Sequence, residues 1–525
     1  MMPVQERTPA AVGNGHRLEL LIVCALLFAA GAVVLTWYPV NHDSAWMLHV
    51  ARRWLEGARL YVDVVEVNPP LIIMLLTPAA AISRLLGVWD ISVFYFGVLA
   101  LAGISLWLVA RTLSFSTLRL EAPILIVALA AIYVFLPHAE IGQREHLMLL
   151  LASPYLFAVA LRSTGEEIPA GHAVVIGVLA GIGFALKPHF LIAFVGSEMY
   201  LGYARRTWIA RRPELVAIVA VGLLYALVLL LVARPYLGLA SWASRVYGDF
   251  YPSSAREIAG SAGTWLAALT MPAAFLARHR PGAAVRHVFA LAAAGFTLMV
   301  FVQNKNWDYH WLPVYASCGI VWTSLAIEAA RVVFGRVRLP VHGGPRALRR
   351  IALWTFGILL TWAGVSSARA AADEAWVRLN RIYQFSSIAT IIEQLEGPQS
   401  WFALSASMQT SLPLVTYMDL EWSARFNCLW PLSGLYEATP PNTDRFPYRT
   451  PDEMGETERY VFDATLEDLF RARPTLILVD RYPPGGRLHG FDYFAYFSAD
   501  PRFVEFMKDY ALLADLGAYR IYQRT

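Results

Sequence analysis

The sequence predicts an α-helical polytopic membrane protein of about 11 transmembrane helices plus one re-entrant or juxtamembrane helix, ending in a small extracytoplasmic α/β domain. Three observations carry that prediction. Of 525 residues, 57% are hydrophobic and only 16% charged, whereas a soluble chain carries about 25% charged residues. Apolar runs of span length recur from residue 18 to residue 370, and mean hydropathy is +0.48. From Ala371 onward charged residues rise and turn signals such as "ATPPNTDRFPYRTPDE" and "RYPPGGRLHG" appear.

Residues 1–17 read as a polar cytoplasmic tail. The first run, from Leu18 to Trp37, lacks a small-x-small cleavage pattern and is read as an uncleaved span, not a signal peptide. Further apolar segments fall near 69–87, 91–110, 121–137, 146–162, 171–187, 189–204, 214–233, 262–278, 284–302, 309–330 and 351–370. Arginines gather at Arg111/Arg119, Arg205/Arg206/Arg211/Arg212 and Arg278/Arg280/Arg286, and in the run from Arg331 to Arg350. Positive residues stay cytoplasmic, so these loops share a side with Arg7 and Arg17. Parity allows that only if segment 69–87 fails to cross. Asn68-Pro69-Pro70 at its start and Pro78 at its middle suit a re-entrant or interfacial helix. The outer connections are then 39–68, 138–145, the Lys187-Pro188-His189 turn, 234–261, 303–309 and everything after 371. Residues 18–370 form the membrane domain and 371–525 the outer domain. In the latter, "WFALS", "TLILVD" and "YRIYQ" read as strands; "IATIIEQLE", "TLEDLFRAR" and "PRFVEFMKDYALL" read as helices.

The net charge of +4 gives no reason to expect a nucleic-acid partner. Cys24, Cys318 and Cys428 are too few and too scattered for a disulfide framework or a zinc cluster.

The polar residues of interest sit in the outer connections. In "YPVNHDSAWMLHVARRWLEG" (38–57), Trp46, Met47, Val50, Ala51 and Trp54 share one helical face, as in a helix lying in the membrane interface. Asp43 stands at its start, either as an N-cap or as a general base, with His42 beside it. The loop "FLPHAEIGQREHLML" (135–149) crowds His138, Glu140, Gln143, Arg144, Glu145 and His146 beside an apolar span, a density that points to a site. Its acids are suited to orienting an acceptor or, with Asp43, ligating a divalent cation; the spacing matches no zinc signature, and metal dependence stays open. Lys187 lies in otherwise unbroken apolar sequence, either snorkelling or awaiting a lipid phosphate. In "FVQNKNWDYHWLP" (301–313), Trp307, Tyr309 and Trp311 read as interfacial aromatics. Lys305 and His310, with Lys187 and Arg144, compose a cationic cluster suited to a phosphate or diphosphate. An outer acid beside several cations, opening on a bilayer, fits transfer of a sugar from a polyprenyl-phosphate donor to an acceptor hydroxyl or amine. Extracytoplasmic compartments hold no nucleotide sugars, so a lipid-linked donor is expected.

The order of these features resembles the GT-C superfamily of membrane glycosyltransferases, notably its protein mannosyltransferase and aminoarabinose transferase branch. Asp43, "SAWMLHVARRWLEG" and "VNPPLIIMLLTP" follow one another as that branch's acidic residue, juxtamembrane helix and lysine-proline-proline motif do. The resemblance covers most of 18–370 and implies a glycosyltransferase of the bacterial inner membrane with its site and C-terminal domain periplasmic. It implies Asp43 and Glu140 as the catalytic acids. It also implies a lipid-linked sugar donor and a lipid, glycan or protein acceptor. One departure stands out. The family's Glu-Lys-Pro-Pro is here Val67-Asn68-Pro69-Pro70, so its phosphate-holding lysine is absent, and Lys187 is the candidate replacement. Glu66 stands one place from the family's acid; with His42 and His138 it is left as a candidate for acceptor or metal. Two other readings compete: a transporter or flippase of a lipid-linked sugar, and a ligase-like transferase with a diphosphate donor. The first would place ionisable residues at mid-membrane in paired halves, which the sequence lacks.

Overall fold

A computed structural model describes residues 14–118, 121–206, 211–248, 252–278, 282–336, 344–436, 446, 448–481 and 491–525. Arg7, Arg119, Arg280, much of the 331–350 run and most of the two quoted turn stretches lie outside those residues. Each apolar segment of the sequence is a helix. In chain order these are α1 (Asn14–Leu35), α2 (His42–Leu55), α3 (Pro70–Leu86), α4 (Asp90–Ser114), α5 (Ala122–Phe135), α6 (Arg144–Ser163), α7 (Ala170–Ala185), α8 (Leu191–Arg205) and α9 (Pro213–Leu231). Then come α10 (Arg234–Tyr247), α11 (Ala255–Gly260), α12 (Ala262–Leu276), α13 (Ala283–Gln303), α14 (Asp308–Arg336) and α15 (Gly344–Tyr383). Among the described residues, 7 helices are long and apolar enough to cross a membrane; α3, α5, α7 and α12 are shorter apolar helices.

Side-chain pairs show which helix ends share a face. Arg331 meets Glu121 at 2.5 Å, Arg162 meets Glu214 at 3.2 Å, Thr117 donates to Glu166 at 3.0 Å, and Arg350 pairs with Glu19. The described arginine-bearing connections therefore lie together on one face. On the opposite face Asn41 meets Glu140, Lys187 meets Glu145, and Ser253 meets Asn304. The start of α3 lies on this second face beside Glu66. Its end lies there too, because Asp90, just beyond it, pairs with Arg52 of α2 at 3.3 Å. Both ends of α3 thus neighbour residues of the site side of the molecule.

The wheel prediction for α2 needs correction. It places Trp46 at headgroup depth, yet Trp46 is 0% exposed. It is held between α3, His49 stacked on it, and the edge of Trp422 in the C-terminal domain. A helix covered on two sides by protein buries residues all round, which is why His49 is buried as well. The aromatics after α13 depart likewise: Tyr309 and Trp311 are buried, and the Trp311 indole donates to Asn306 at 2.7 Å.

The composition change at Ala371 falls within α15, which continues to Tyr383. Beyond it, β1 (Ser400–Leu404), β2 (Glu421–Trp422), β3 (Leu476–Asp480), β4 (Tyr510–Asp515) and β5 (Tyr519–Arg524) form one sheet in the order β2-β1-β3-β5-β4. β1 pairs in parallel with β2 and β3, while β5 pairs antiparallel with β3 and β4. The "PRFVEFMKDYALL" stretch is helical over Pro501–Phe506 and, as a 3-10 turn, over Met507–Asp509; its end is β4, drawn into extended form by pairing with β5. The domain rests on the site face: the Tyr417 hydroxyl accepts from Val40 N at 3.0 Å and Trp376 donates to the Trp37 carbonyl at 2.7 Å.

Candidate active site

Three connections meet beneath the C-terminal domain: the start of α2, the 138–146 loop, and the turn between α7 and α8. Asn41, not Asp43, is the N-cap of α2; its Oδ1 accepts from Asp43 N at 2.9 Å and Ser44 N at 3.2 Å. The Asp43 carboxylate is thereby released from capping. Its Oδ2 accepts from Gln143 Nε2 at 3.0 Å, and its Oδ1 lies 3.9 Å from His42 Nε2. Burial pushes this carboxyl up, but His42, Arg144, the Gln143 hydrogen bond and Lys187 outweigh it and hold Asp43 below the usual carboxylate range. Burial, against the pull of Asp43, lowers His42.

Glu140 behaves oppositely. It accepts from Asn41 Nδ2 at 3.0 Å. Burial first, then the charges of Asp43, Asp308 and Glu145, push it up to about 8. The two acids predicted as catalytic are therefore brought to one place in different states, one ionised and one protonated at neutral pH.

The predicted cations converge as well, with unequal partners. Lys187 donates to Glu145 at 2.6 Å and lies 5.2 Å from the centre of the Tyr309 ring. Burial, then Arg144, lowers it to about 8. Lys305 donates to the Tyr247 carbonyl at 3.0 Å. His310 meets the Lys305 carbonyl at 3.1 Å through Nδ1 and Glu145 at 3.8 Å through Nε2. Arg144 is different. It is 6% exposed, its Nε has no hydrogen-bond partner, and among the described residues its guanidinium makes no ion pair. The negative charges of Glu145, Asp43 and Glu66 stand near enough to offset its burial, yet none of them meets that nitrogen in a hydrogen bond.

Glu66 and His138 are occupied elsewhere. Glu66 accepts from the Trp46 indole, from Asn68 N at 2.6 Å and from Asn68 Nδ2 at 2.5 Å, which ties α2 to the entry of α3. His138 has a left-handed backbone (φ 48°), faces the Tyr38 ring, and meets Ser367 of α15 at 3.1 Å. Among the described residues no three His, Cys, Asp or Glu side chains assemble into a metal cage. Sequence reasoning gave Asn41 no role, counted Gln143 only as one of the crowded loop residues, and did not see Glu145 as the holder of Lys187. A helix-start asparagine is a readable signal; the other two contacts join segments far apart in the chain.

The structure is similar to ArnT of Cupriavidus metallidurans bound to undecaprenyl phosphate, with a TM-score of 0.58 at 12% identity over 98% of each chain. The fold is like that of ArnT. The apo form of the same protein gives 0.57 at 12% identity, covering 97% of this chain and 98% of that one. A looser likeness, with a TM-score of 0.44 at 10% identity over 93% of this chain and 71% of the other, is to the Archaeoglobus fulgidus oligosaccharyltransferase in complex with zinc and sulfate. No family model matches the sequence, and no curated protein matches it. The likeness is therefore one of fold, carried by shape and not by sequence identity.

Proposed function

We propose that this protein is a glycosyltransferase that moves a sugar from a polyprenyl-phosphate donor to an acceptor at the outer face of the bacterial inner membrane. The observation that carries the reading is a carboxylate held below its usual range, Asp43, in one cluster with Arg144, a buried cation whose Nε has no hydrogen-bond partner, in a fold like that of a protein known bound to undecaprenyl phosphate. Arg144, Lys187 and Lys305, with His310, would receive the donor phosphate. Three cationic side chains, Arg144, Lys187 and Lys305, gather there, which suits an anion. An acceptor hydroxyl then attacks the anomeric carbon. Its proton passes to Asp43, the new carbon–oxygen bond forms, and the bond to the phosphate breaks with its electron pair leaving on phosphate oxygen. Attack on the side opposite the leaving phosphate inverts the anomeric centre.

The described arginine loops lie on the face opposite the site, which supports an outward-facing site under the positive-inside rule. The test is transfer of radiolabelled sugar from a polyprenyl-phosphate donor pool into membrane fractions by wild type and Asp43→Asn, matched for expression. Transfer by wild type and its loss in the variant supports the reading, and the labelled band identifies the acceptor. Equal transfer by both removes Asp43 as base; no transfer by either favours a transporter.

A further inference from the structure

The amides between the two acids carry more than packing. The cap of α2 fixes which end of the Asn41 amide is oxygen, because Oδ1 accepts two backbone N–H groups. Its nitrogen must therefore face Glu140, at 3.0 Å. The same Oδ1 also accepts from Gln143 Nε2 at 3.1 Å, and the second hydrogen of that nitrogen goes to Asp43 Oδ2 at 3.0 Å. Both N–H bonds of Gln143 are spent, so neither amide can flip without setting oxygen against oxygen. Asn41 is 7% exposed and Gln143 5%, which keeps water from replacing them cheaply. One oxygen of Asp43 is held; the other, Oδ1, has among the described residues only His42, at 3.9 Å.

We propose that Asn41 and Gln143 are positioning residues that hold Oδ2 of Asp43 as a hydrogen-bond acceptor, present Oδ1 to the incoming acceptor hydroxyl, and join the base to Glu140. The inference rests on the glycosyl-transfer reading. In that reaction the acceptor proton arrives at Oδ1 while Oδ2 stays bonded to Gln143. Asp43 feels the charges of His42 in α2, Arg144 in α6 and Lys187 in the turn after α7. Its own charge in turn bears on Tyr247 of α10, Tyr309 of α14, Glu140 of the 138–146 loop and Cys428 of the C-terminal domain. Among the described residues only Gln143 donates a side-chain hydrogen bond to it.

The test is the pH profile of kcat/KM for transfer in wild type, Gln143→Glu and Asn41→Asp. Gln143→Glu turns a donor into an acceptor facing two oxygens. It should lower kcat at pH 7 by at least about tenfold and move the acidic limb up by at least about one pH unit, with donor KM within about threefold. Asn41→Asp caps a helix as well as asparagine does, so Tm should hold. The link to Glu140 is lost, and the limb should move in the same direction. Wild-type profiles in both variants would overturn the proposal, and so would a fall in kcat with the limb unmoved. Absence of transfer by wild type would sink the glycosyl-transfer reading instead. The clamp is then decided by infrared titration of the carboxylate band that Asp43→Asn removes: an upward midpoint in Gln143→Glu supports it, and an unmoved midpoint overturns it.

Discussion

Replacing Arg144 by methionine separates binding from folding at this site. In the resting protein the guanidinium is buried, its Nε lacks a partner, and it makes no ion pair among the described residues. Removing it breaks no resting hydrogen bond of that nitrogen, and methionine fills a similar length with flexible apolar atoms. Tm in detergent should therefore stay within about 2 °C of wild type, since larger shifts need a loss of roughly 1 kcal/mol or more. Donor binding should suffer. A hydrogen bond to a charged group contributes about 1.5–3 kcal/mol. At about 1.4 kcal/mol per decade, losing one such contact to the donor phosphate lowers kcat/KM by about 10- to 150-fold. The assay is initial rates against donor concentration for purified protein, alongside thermal melts. An unchanged kcat/KM would refute the reasoning, most plainly if it came with a Tm lowered by 5 °C or more. Arg144 would then be a structural counter-charge for Glu145 and Asp43.

Three further outcomes follow from the same geometry. Glu145→Gln strands Lys187 beside a fully buried position, and breaking such a pair costs about 3–5 kcal/mol. Denaturation should show that loss, and adding Lys187→Met should restore most of it; a single variant as stable as wild type would contradict this. Lys187 and Glu140 both titrate near pH 8. Below that the lysine is charged and the glutamate neutral; above it the lysine loses its charge and the glutamate gains one. Both changes repel a phosphate, so kcat/KM for the donor should fall as pH rises through about 8, by up to about tenfold per unit for each group. A profile flat to pH 9.5 would exclude these groups from phosphate binding. Finally, Gly142 has φ +77°, and a Cβ there would lie 2.2 Å from the Phe94 ring. Gly142→Ala should cost about 2 kcal/mol or more and displace Gln143; a melt and transfer rate equal to wild type would show that the loop yields.

The sequence by itself determined the helices and their order, because bilayer length and apolar periodicity are local properties that each segment expresses alone. The cluster of Asp43, Glu140, Arg144, Lys187, Lys305 and His310 was legible as a group, since ionisable residues next to apolar spans are costly wherever they occur. What each member does was decided only by the tertiary structure. The helix-start pattern could not say whether Asn41 or Asp43 caps α2. That choice frees Asp43, and it depends on an amide that reaches it from Gln143, some hundred residues away in the chain. The C-terminal domain buries Trp46, which the helical wheel alone sends to the membrane surface. The contrast between an ionised Asp43 and a protonated Glu140, and between Lys187 held by Glu145 and Arg144 with no ion pair among the described residues, arises from neighbours that folding alone supplies. Charge and hydrogen bonding are pairwise properties, and no single segment of the sequence contains both partners.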